Sequence, residues 1–241
     1  GGDLGADGKN VETKNAYLDM KVPGTPFAAK VGIQGFGAQF SSVFVDNDMA
    51  GLKLSADFGG PKGVLMYSKW DEGSTTNWDD TDLYAAQLTN LGPVEAGLYY
   101  IDHNGTKGGE MDIITAGVKA DVKISDAFGI DGFLLYQDKS SAAATKVATD
   151  EGSAIVFTAR AKVSDMGNFR LIYYSEDDDA TDDNTLFETA GFAFAGENLY
   201  IMLADVYNTG NGGGELAIND AGEAGYGLMA LTYAGNFNFG D

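Results

Sequence analysis

The chain has 241 residues, and its 15 Lys and Arg against 36 Asp and Glu give a net charge of −21. A chain this acidic is a poor binder of nucleic acid, because the phosphate backbone must be neutralised by basic side chains. It has no cysteine and a single histidine, His103, which excludes disulfides, thiol nucleophiles and a multi-histidine metal site within one chain.

The hydrophobic pattern has a period of two residues, which predicts β-strands. From Ile114 to Ile124 every second residue is apolar, and the residues between them are Thr, Gly, Lys and Asp. A helix would scatter these apolar residues around its axis. We therefore predict an all-β chain of about 14 strands. They lie near 13–22, 27–35, 50–58, 62–70, 82–90, 94–102, 112–124, 129–138, 154–164, 168–175, 186–195, 198–207 and 224–234, with a last one that begins at Phe237.

The predicted connections alternate between short turns and longer polar loops. Turns such as Pro23–Pro26 and Gly59–Pro61 alternate with loops such as 36–49 and 139–153. This alternation is typical of an antiparallel up-and-down β-barrel in an outer membrane, with short periplasmic turns and long extracellular loops. A lipocalin has fewer strands and a β-sandwich has irregular connections. A β-solenoid stays an open alternative, although no fixed repeat period is present.

The direction of the strands suggests that two of them are missing. The first predicted strand ends in a short turn, so it runs inward and should follow an upstream strand. The strand that begins at Phe237 lacks a returning partner. Adding one strand at each end predicts sixteen strands in the full-length protein, enough to enclose an aqueous channel. We therefore interpret residues 1–241 as a single transmembrane barrel domain without its first and last strands.

The net charge lies on the long-loop side. That side holds 25 acids and four bases, whereas the strands and short turns hold 11 of each. The long-loop side is counted as 1–12, 36–49, 71–82, 102–112, 138–154, 175–185 and 208–223. We expect these acidic loops to be extracellular and to attract cations, whereas a basic wall would favour anions.

The charged residues within strands are the predicted pore lining, because a lipid-embedded barrel turns its polar face inward. They are Asp19, Lys21, Lys30, Lys53, Asp57, Lys69, Lys119, Asp121, Lys123, Arg160, Lys162 and Arg170. Aromatic residues cluster at both ends of the strands and predict two membrane girdles. Those near long loops are Trp70, Tyr99, Tyr100, Tyr136, Tyr173, Tyr174 and Tyr207, and those near short turns are Phe27, Phe58, Phe128, Phe169, Phe194 and Tyr233.

Two acidic runs carry the carboxylate oxygens that Ca²⁺ prefers. Their residues are Asp46, Asp48, Glu176, Asp177, Asp178 and Asp179. Neither run matches an EF-hand loop, so we favour a hydrated surface over a calcium site, and we expect no cofactor.

Several short sequences resemble the general outer-membrane porins of Gram-negative bacteria. They are the segments 15–19 (NAYLD), 23–26 (PGTP), 30–34 (KVGIQ) and 48–54 (DMAGLKL). Ile33 stands where many porins have an arginine before the glutamine, and the chain ends in Gly240 and Asp241 rather than in an aromatic residue. The resemblance implies passive diffusion of small hydrophilic solutes, an integral position among outer-membrane lipid and lipopolysaccharide, and a homotrimer.

The resemblance also implies that the third outer loop folds inward and narrows the pore against a basic wall. With one upstream strand missing, that loop is Asp71–Thr81, although its short length makes an outward position an equal alternative. The residues that would act there are Asp71, Glu72, Trp78, Asp79 and Asp80.

Two other functions compete with the channel. Asp102 and His103 invite comparison with outer-membrane proteases, but neighbouring strand residues point to opposite faces, so we expect no catalytic dyad and no enzyme. A barrel could also sheathe an electron carrier or anchor a partner protein, and an acidic rim would suit a basic partner.

Overall fold

The computed structural model describes residues 15–36, 40, 47–71, 81–105, 109–141, 152–164, 166–176, 201–202, 215–216 and 228–235. Among these residues, no helix is long and apolar enough to cross a membrane. The strands are β1 (Ala16–Lys21), β2 (Phe27–Phe36), β3 (Asn47–Asp57), β4 (Lys62–Asp71), β5 (Thr81–Leu91), β6 (Val94–Gly105), β7 (Gly109–Lys123), β8 (Phe128–Ser141), β9 (Gly152–Val163), β10 (Gly167–Glu176), β11 (Ile201–Met202), β12 (Glu215–Leu216) and β13 (Leu228–Ala234).

Eleven strands form one antiparallel sheet in the order β1 to β10 followed by β13. Each strand from β1 to β10 pairs with its neighbour in sequence, so the connectivity is an up-and-down meander. The short turns lie where the sequence predicts them, for example between Val22 and Phe27, whose backbones are hydrogen-bonded. The prediction of an all-β, antiparallel, up-and-down architecture is confirmed.

The order of the last strands differs from the prediction. Two strands, near 186–195 and 198–207, were expected to follow β10, but β10 pairs directly with β13 through Tyr173 and Met229. Of the expected pair, only Ile201–Met202 is described, and it pairs with Glu215–Leu216 in a separate two-stranded sheet. The period-two pattern predicts a strand but does not specify its partner, which is why the predicted order was wrong here.

The strands also reach further into the long loops than the sequence indicates. The β6–β7 ladder continues to the pair Gly105 and Gly109, where a loop was predicted over 103–111. His103 and Glu110, predicted in this loop, therefore lie in β6 and β7. Polar residues at the end of a strand do not stop the backbone ladder, because its hydrogen bonds do not depend on side-chain polarity.

The sheet has two unlike faces, since directly opposed residues of an antiparallel pair lie on the same side. We call the exposed apolar side the outer face. Its large exposed residues include Leu18, Val31, Leu52, Leu54, Leu65, Leu98, Val118, Ile130, Leu134, Ile155, Met229 and Leu231. The opposite side, which we call the inner face, holds the buried residues. An outward apolar surface of this extent is typical of a barrel wall that faces lipid.

Aromatic residues lie at both margins of the outer face. Toward the short turns, Phe27 and Phe58 meet edge to face at 6.5 Å, and Phe169 and Tyr233 lie 4.7 Å apart between ring centroids. Toward the long loops, the opposed residues Tyr67, Tyr84 and Tyr100 form a continuous row. Their centroids are separated by 5.2 and 5.9 Å. Tyr99, expected in this girdle, lies instead on the inner face and is buried.

A row of carboxylates lies next to the tyrosine row, further toward the long loops. Asp82, Asp102 and Asp112 are directly opposed across β5, β6 and β7. Tyr67 donates a hydrogen bond of 3.2 Å to Asp82, and Tyr100 donates one of 2.6 Å to Asp112. Lys69, expected in the pore, belongs to this outer row, because it is opposed to Asp82 and forms an ion pair with it at 3.8 Å.

Candidate functional site

The strand register places eleven of the twelve predicted pore-lining charges on the inner face, all except Lys69. Asp19, Lys30 and Lys53 are opposed in sequence across β1, β2 and β3. Further along the sheet, on the same face, Arg160 of β9 is opposed to Asp131 of β8 and to Arg170 of β10. The remaining members on this face are Lys21, Asp57, Lys119, Asp121, Lys123 and Lys162.

Five of these cations lie at a similar height above the short turns. Lys30 and Arg170 each lie four positions after a turn, and Arg160 lies four positions before one. Lys53 and Lys119 lie five positions before their turns. Strands in a barrel share a common tilt, so equal distances from the turns mean equal depth along the barrel. We call these residues the basic belt: Lys30, Lys53, Lys119, Arg160 and Arg170.

Three cations of the belt are paired with carboxylates. Lys30 lies 3.9 Å from Asp19 and also 4.1 Å from the ring centre of Tyr17, and Lys119 lies 3.6 Å from Glu95. Arg160 lies 2.9 Å from Asp131. These pairs neutralise part of the positive charge of the belt.

The other two cations, Lys53 and Arg170, make no ion pair or side-chain hydrogen bond within the described part of the chain. Each is half-buried and faces a cation directly across its ladder: Lys53 faces Lys30, and Arg170 faces Arg160. Like charges in directly opposed positions destabilise a sheet. The positive charges of Lys53 and Arg170 therefore do not stabilise the pairing of the strands, and they are not neutralised by a carboxylate among the described residues.

Asp131 is the centre of the best-connected ion-pair network among the residues that the structure describes. Its carboxylate accepts two hydrogen bonds from Arg160 Nε, at 2.9 and 3.1 Å, and lies 2.8 Å from Lys162 Nζ. Lys162 also lies 3.2 Å from Asp121. The Asp131 side chain is 15% exposed, so its ion pairs are only partly screened by water.

Replacing Asp131 by asparagine should lower the free energy of unfolding by about 1–2 kcal/mol, because it leaves Arg160 and Lys162 without their shared carboxylate. Urea unfolding of the detergent-refolded protein would measure the loss. The matched control is Asp126→Asn, since Asp126 pairs with Lys123 at 2.6 Å but is fully exposed, and we expect no change there. Equal losses in both variants would contradict a special role for Asp131.

A cavity of about 860 Å³ opens at the short-turn end of the inner face. Its walls include Asp121, Lys123, Lys162 and Asn168. This opening at the turn side is lined by charged residues.

Beyond the basic belt, toward the long loops, the inner face is apolar and buried, which differs from the polar lining that the sequence predicts. We call this region the apolar layer: Phe36, Met49, Leu83, Ala85, Tyr99, Ile101, Ile113, Phe133, Leu135, Ala154, Val156 and Ile172. Buried polar side chains within it are paired. Gln137 donates to Thr115 at 2.7 Å, and Gln87 donates to the Tyr99 hydroxyl at 3.0 Å.

Phe40 packs against this layer from the β2–β3 connection. Its side chain is fully buried, and its ring centroid lies 6.3 Å from that of Tyr99 and 6.0 Å from that of Phe133. Gly117 provides the space, because a Cβ atom at that position would lie 2.7 Å from Phe40 Cζ and would also clash with Leu135. Phe40 therefore contacts the inner face of β6, β7 and β8, although its own connection joins β2 to β3.

The sequence predicts Phe40 in the outer loop 36–49, and this contact was not expected. One signal was present: Gly117 interrupts the polar face of the best alternating strand, and a glycine inside a strand often marks the close approach of another group. No rule of spacing links that glycine to Phe40, because the contact is tertiary.

The predicted constriction residues Glu72, Trp78, Asp79 and Asp80 lie outside the described residues, and Asp71 is described only as the last residue of β4. Asp46 and Asp177–Asp179 lie outside them as well, whereas Asp48 is an exposed residue of β3 and Glu176 ends β10. Within the described ranges, no three Asp, Glu or His residues form a group able to hold a metal ion. The inward loop and the calcium site stay predictions.

Comparison with solved structures identifies the fold. The chain is similar to OpdL of Pseudomonas aeruginosa, a β-barrel porin, with 11% sequence identity and a TM-score of 0.51 over 75% of this chain and 52% of that one. It thus has the β-barrel fold of the outer-membrane porins, and it spans about half the length of OpdL.

Two further Pseudomonas aeruginosa structures match less closely. OccD3 (OpdP) gives 12% identity and a TM-score of 0.46 over 68% of this chain and 43% of its own. OccK11 (OpdR) gives 12% identity and a TM-score of 0.44 over 64% and 46%. No protein-family model matches the chain, and no curated protein matches its sequence.

Proposed function

We propose that the protein forms a water-filled channel in a bacterial outer membrane, through which small hydrophilic solutes diffuse passively. The observation that carries the proposal is the division of one antiparallel sheet into an exposed apolar outer face and an inner face that carries the basic belt. A soluble protein would not leave so large an apolar surface in water. The porin fold agrees with this arrangement.

The dimensions of the wall suit a membrane. Strands β2 to β10 are 10 to 15 residues long, and a tilted strand of about 9–11 residues spans the hydrocarbon core. The aromatic residues at the two margins of the outer face would then lie at the two membrane surfaces. The acidic loops would face outward, and the short turns would face the periplasm. Contact with lipopolysaccharide and the homotrimer implied by the resemblance stay predictions.

We further propose that the basic belt sets the ion preference of the channel. The acidic rim attracts cations, but Lys53 and Arg170 lie within the wall, where they interact with a passing ion at shorter range and with less screening. Anions should therefore pass more readily than cations despite the net charge of −21.

The competing function is a barrel that sheathes or anchors a partner protein. The apolar layer would be the natural contact for such a partner, but its side chains are already buried within the single chain. A partner inside the barrel would therefore find no exposed part of this layer to bind.

A liposome swelling assay tests the proposed function. Liposomes that contain the refolded full-length protein should swell in an isosmotic monosaccharide solution and should not swell in a dextran solution. Liposomes with the urea-unfolded protein are the control. If folded, inserted protein gave no swelling with any small solute, the channel would be excluded and the sheath or anchor would take its place.

A further inference from the structure

We propose that the tyrosine row of the outer face is a site of oxidative modification, at which a one-electron oxidant joins the rings of Tyr67 and Tyr84 through a carbon–carbon bond. The product is a dityrosine that links β4 to β5 covalently. The inference goes beyond the proposed channel and does not depend on it, because it concerns side chains of the outer face alone.

The first argument is the proximity of the two rings. Tyr67 and Tyr84 are directly opposed across the β4–β5 ladder, and Tyr84 is opposed in turn to Tyr100 of β6. The ring centroids lie 5.2 Å apart in the first pair and 5.9 Å apart in the second, which are contact distances for aromatic rings. In the part of the chain that the structure describes, no other two tyrosine rings adjoin each other. The ladder therefore holds the reacting groups together before any oxidant arrives.

The second argument is that the row has its own proton acceptors. Tyr67 donates a hydrogen bond of 3.2 Å to Asp82, and Tyr100 donates one of 2.6 Å to Asp112. A phenol that loses an electron becomes a strong acid, and a carboxylate within hydrogen-bond distance is placed to take its proton. Asp82 should therefore speed the oxidation of Tyr67.

The third argument is the access of a small oxidant. Tyr67 is 37% exposed and Tyr84 is 42% exposed. Both lie at the margin of the outer face next to the long loops, where the carboxylate row lies further out. Tyrosines at such a margin have their apolar rings against lipid and their hydroxyl groups toward water. A water-soluble oxidant can thus reach the hydroxyl ends of the row, whereas Tyr99 on the inner face is buried.

The reaction consumes two one-electron oxidants. Each tyrosine gives one electron to an oxidant and its phenolic proton to a base, which is Asp82 for Tyr67 and water for Tyr84. The two phenoxyl radicals then form one bond between the ring carbons next to those that carry oxygen. The hydrogen on each joined carbon moves to the oxygen of the same ring and restores the phenol. The pair loses two hydrogen atoms in total, and each oxidant is reduced by one electron.

The test exposes the refolded full-length protein to tris(bipyridine)ruthenium(III), which light and persulfate generate. The oxidant is added until Tyr136, an exposed tyrosine of the outer face, is modified. Trypsin cleaves after Lys69, which lies between the two tyrosines of the pair. They therefore fall in separate peptides, 63–69 and 70–107.

We expect mass spectrometry of the monomer band to find these two peptides joined with the loss of two hydrogen atoms, together with dityrosine fluorescence. Protein that is oxidised at Tyr136 but contains no joined peptides would overturn the proposal.

Tyr84→Phe tests the geometry, because Tyr84 takes part in both ring contacts of the row. We expect this variant to lower the yield of dityrosine at least about tenfold, since neither remaining tyrosine has a tyrosine beside it. Tyr100→Phe should keep at least about half of the joined peptides, because the closer pair is intact. Tyr136→Phe is the matched control and should give the wild-type yield. A wild-type yield from Tyr84→Phe would show that other tyrosines react and would overturn the proposal.

Asp82→Asn separates proton transfer from packing, because asparagine keeps the shape of the side chain but cannot take the proton. We expect the initial rate of cross-linking to fall at least about threefold in this variant. Asp126→Asn removes a carboxylate near the short turns, far from the row, and should react at the wild-type rate. Equal rates in Asp82→Asn and Asp126→Asn would contradict the role given to Asp82.

Discussion

Replacing Gly32 by alanine should lower the free energy of unfolding by about 3 kcal/mol or more, the largest effect on stability that we expect from a single methyl group in this chain. Gly32 lies inside β2 with a φ of 125°, a conformation that residues with a side chain rarely adopt. A Cβ atom there would also lie 2.8 Å from Tyr17 Cα and would clash with the Ala16 carbonyl oxygen. Both contacts are with backbone of β1, which cannot move without breaking the ladder.

The matched control is Gly60→Ala in the β3–β4 turn. No atom lies within 4 Å of the Cβ position of Gly60, and its φ lies outside the left-handed region, so this variant should unfold as the wild type does. Urea unfolding and the heat-dependent mobility of the refolded barrel on gels would measure both variants. If Gly32→Ala were as stable as Gly60→Ala, the close approach of β1 and β2 would be contradicted.

Replacing both Lys53 and Arg170 by glutamate should reverse the ion preference of the channel from anions to cations. The exchange removes two positive charges and adds two negative ones at the depth of the basic belt, where no ion pair within the described residues compensates the native cations. We expect the ratio of anion to cation permeability to fall at least about tenfold. The reversal potential of single channels in a salt gradient would report the change.

Position should matter more than total charge in this experiment. Lys123→Glu with Lys62→Glu changes the charge by the same amount near the short turns, where Lys123 already pairs with Asp126 and Lys62 with Asp57. This control should shift the preference much less. Equal shifts in the two double variants would show that net charge, and not the unpaired cations of the belt, sets selectivity.

The sequence predicted the local features of the fold well, because they depend on neighbouring residues. The alternation of apolar and polar residues determines which residues of β7 and β9 share a face. Turn residues such as Pro23–Pro26 determine where the chain reverses direction between β1 and β2. The same alternation placed Arg160 and Arg170 on one face before any pairing was known. It failed for Lys69, which lies near the end of β4, and for Tyr99, because the neighbouring Tyr100 makes the two faces of β6 alike at that point.

Tertiary contacts could not be predicted from the sequence. The pairing of β10 with β13 skips a long segment, and no local pattern encodes which strand completes a sheet edge. The burial of Phe40 depends on a gap at Gly117, which lies 77 positions away in the chain. Side-chain geometry also determines which cations have a carboxylate partner. Counting residues alone gives 11 acids and 11 bases in the strands and short turns, and therefore predicts a barrel wall without net charge.

A planar bilayer recording of the full-length protein in a KCl gradient tests the account most directly. We expect stepwise, ohmic currents, and the sign of the reversal potential should show that anions pass more readily than cations. Stepwise currents with cation preference would contradict the role given to the basic belt. The absence of current from folded, inserted protein would contradict the channel itself.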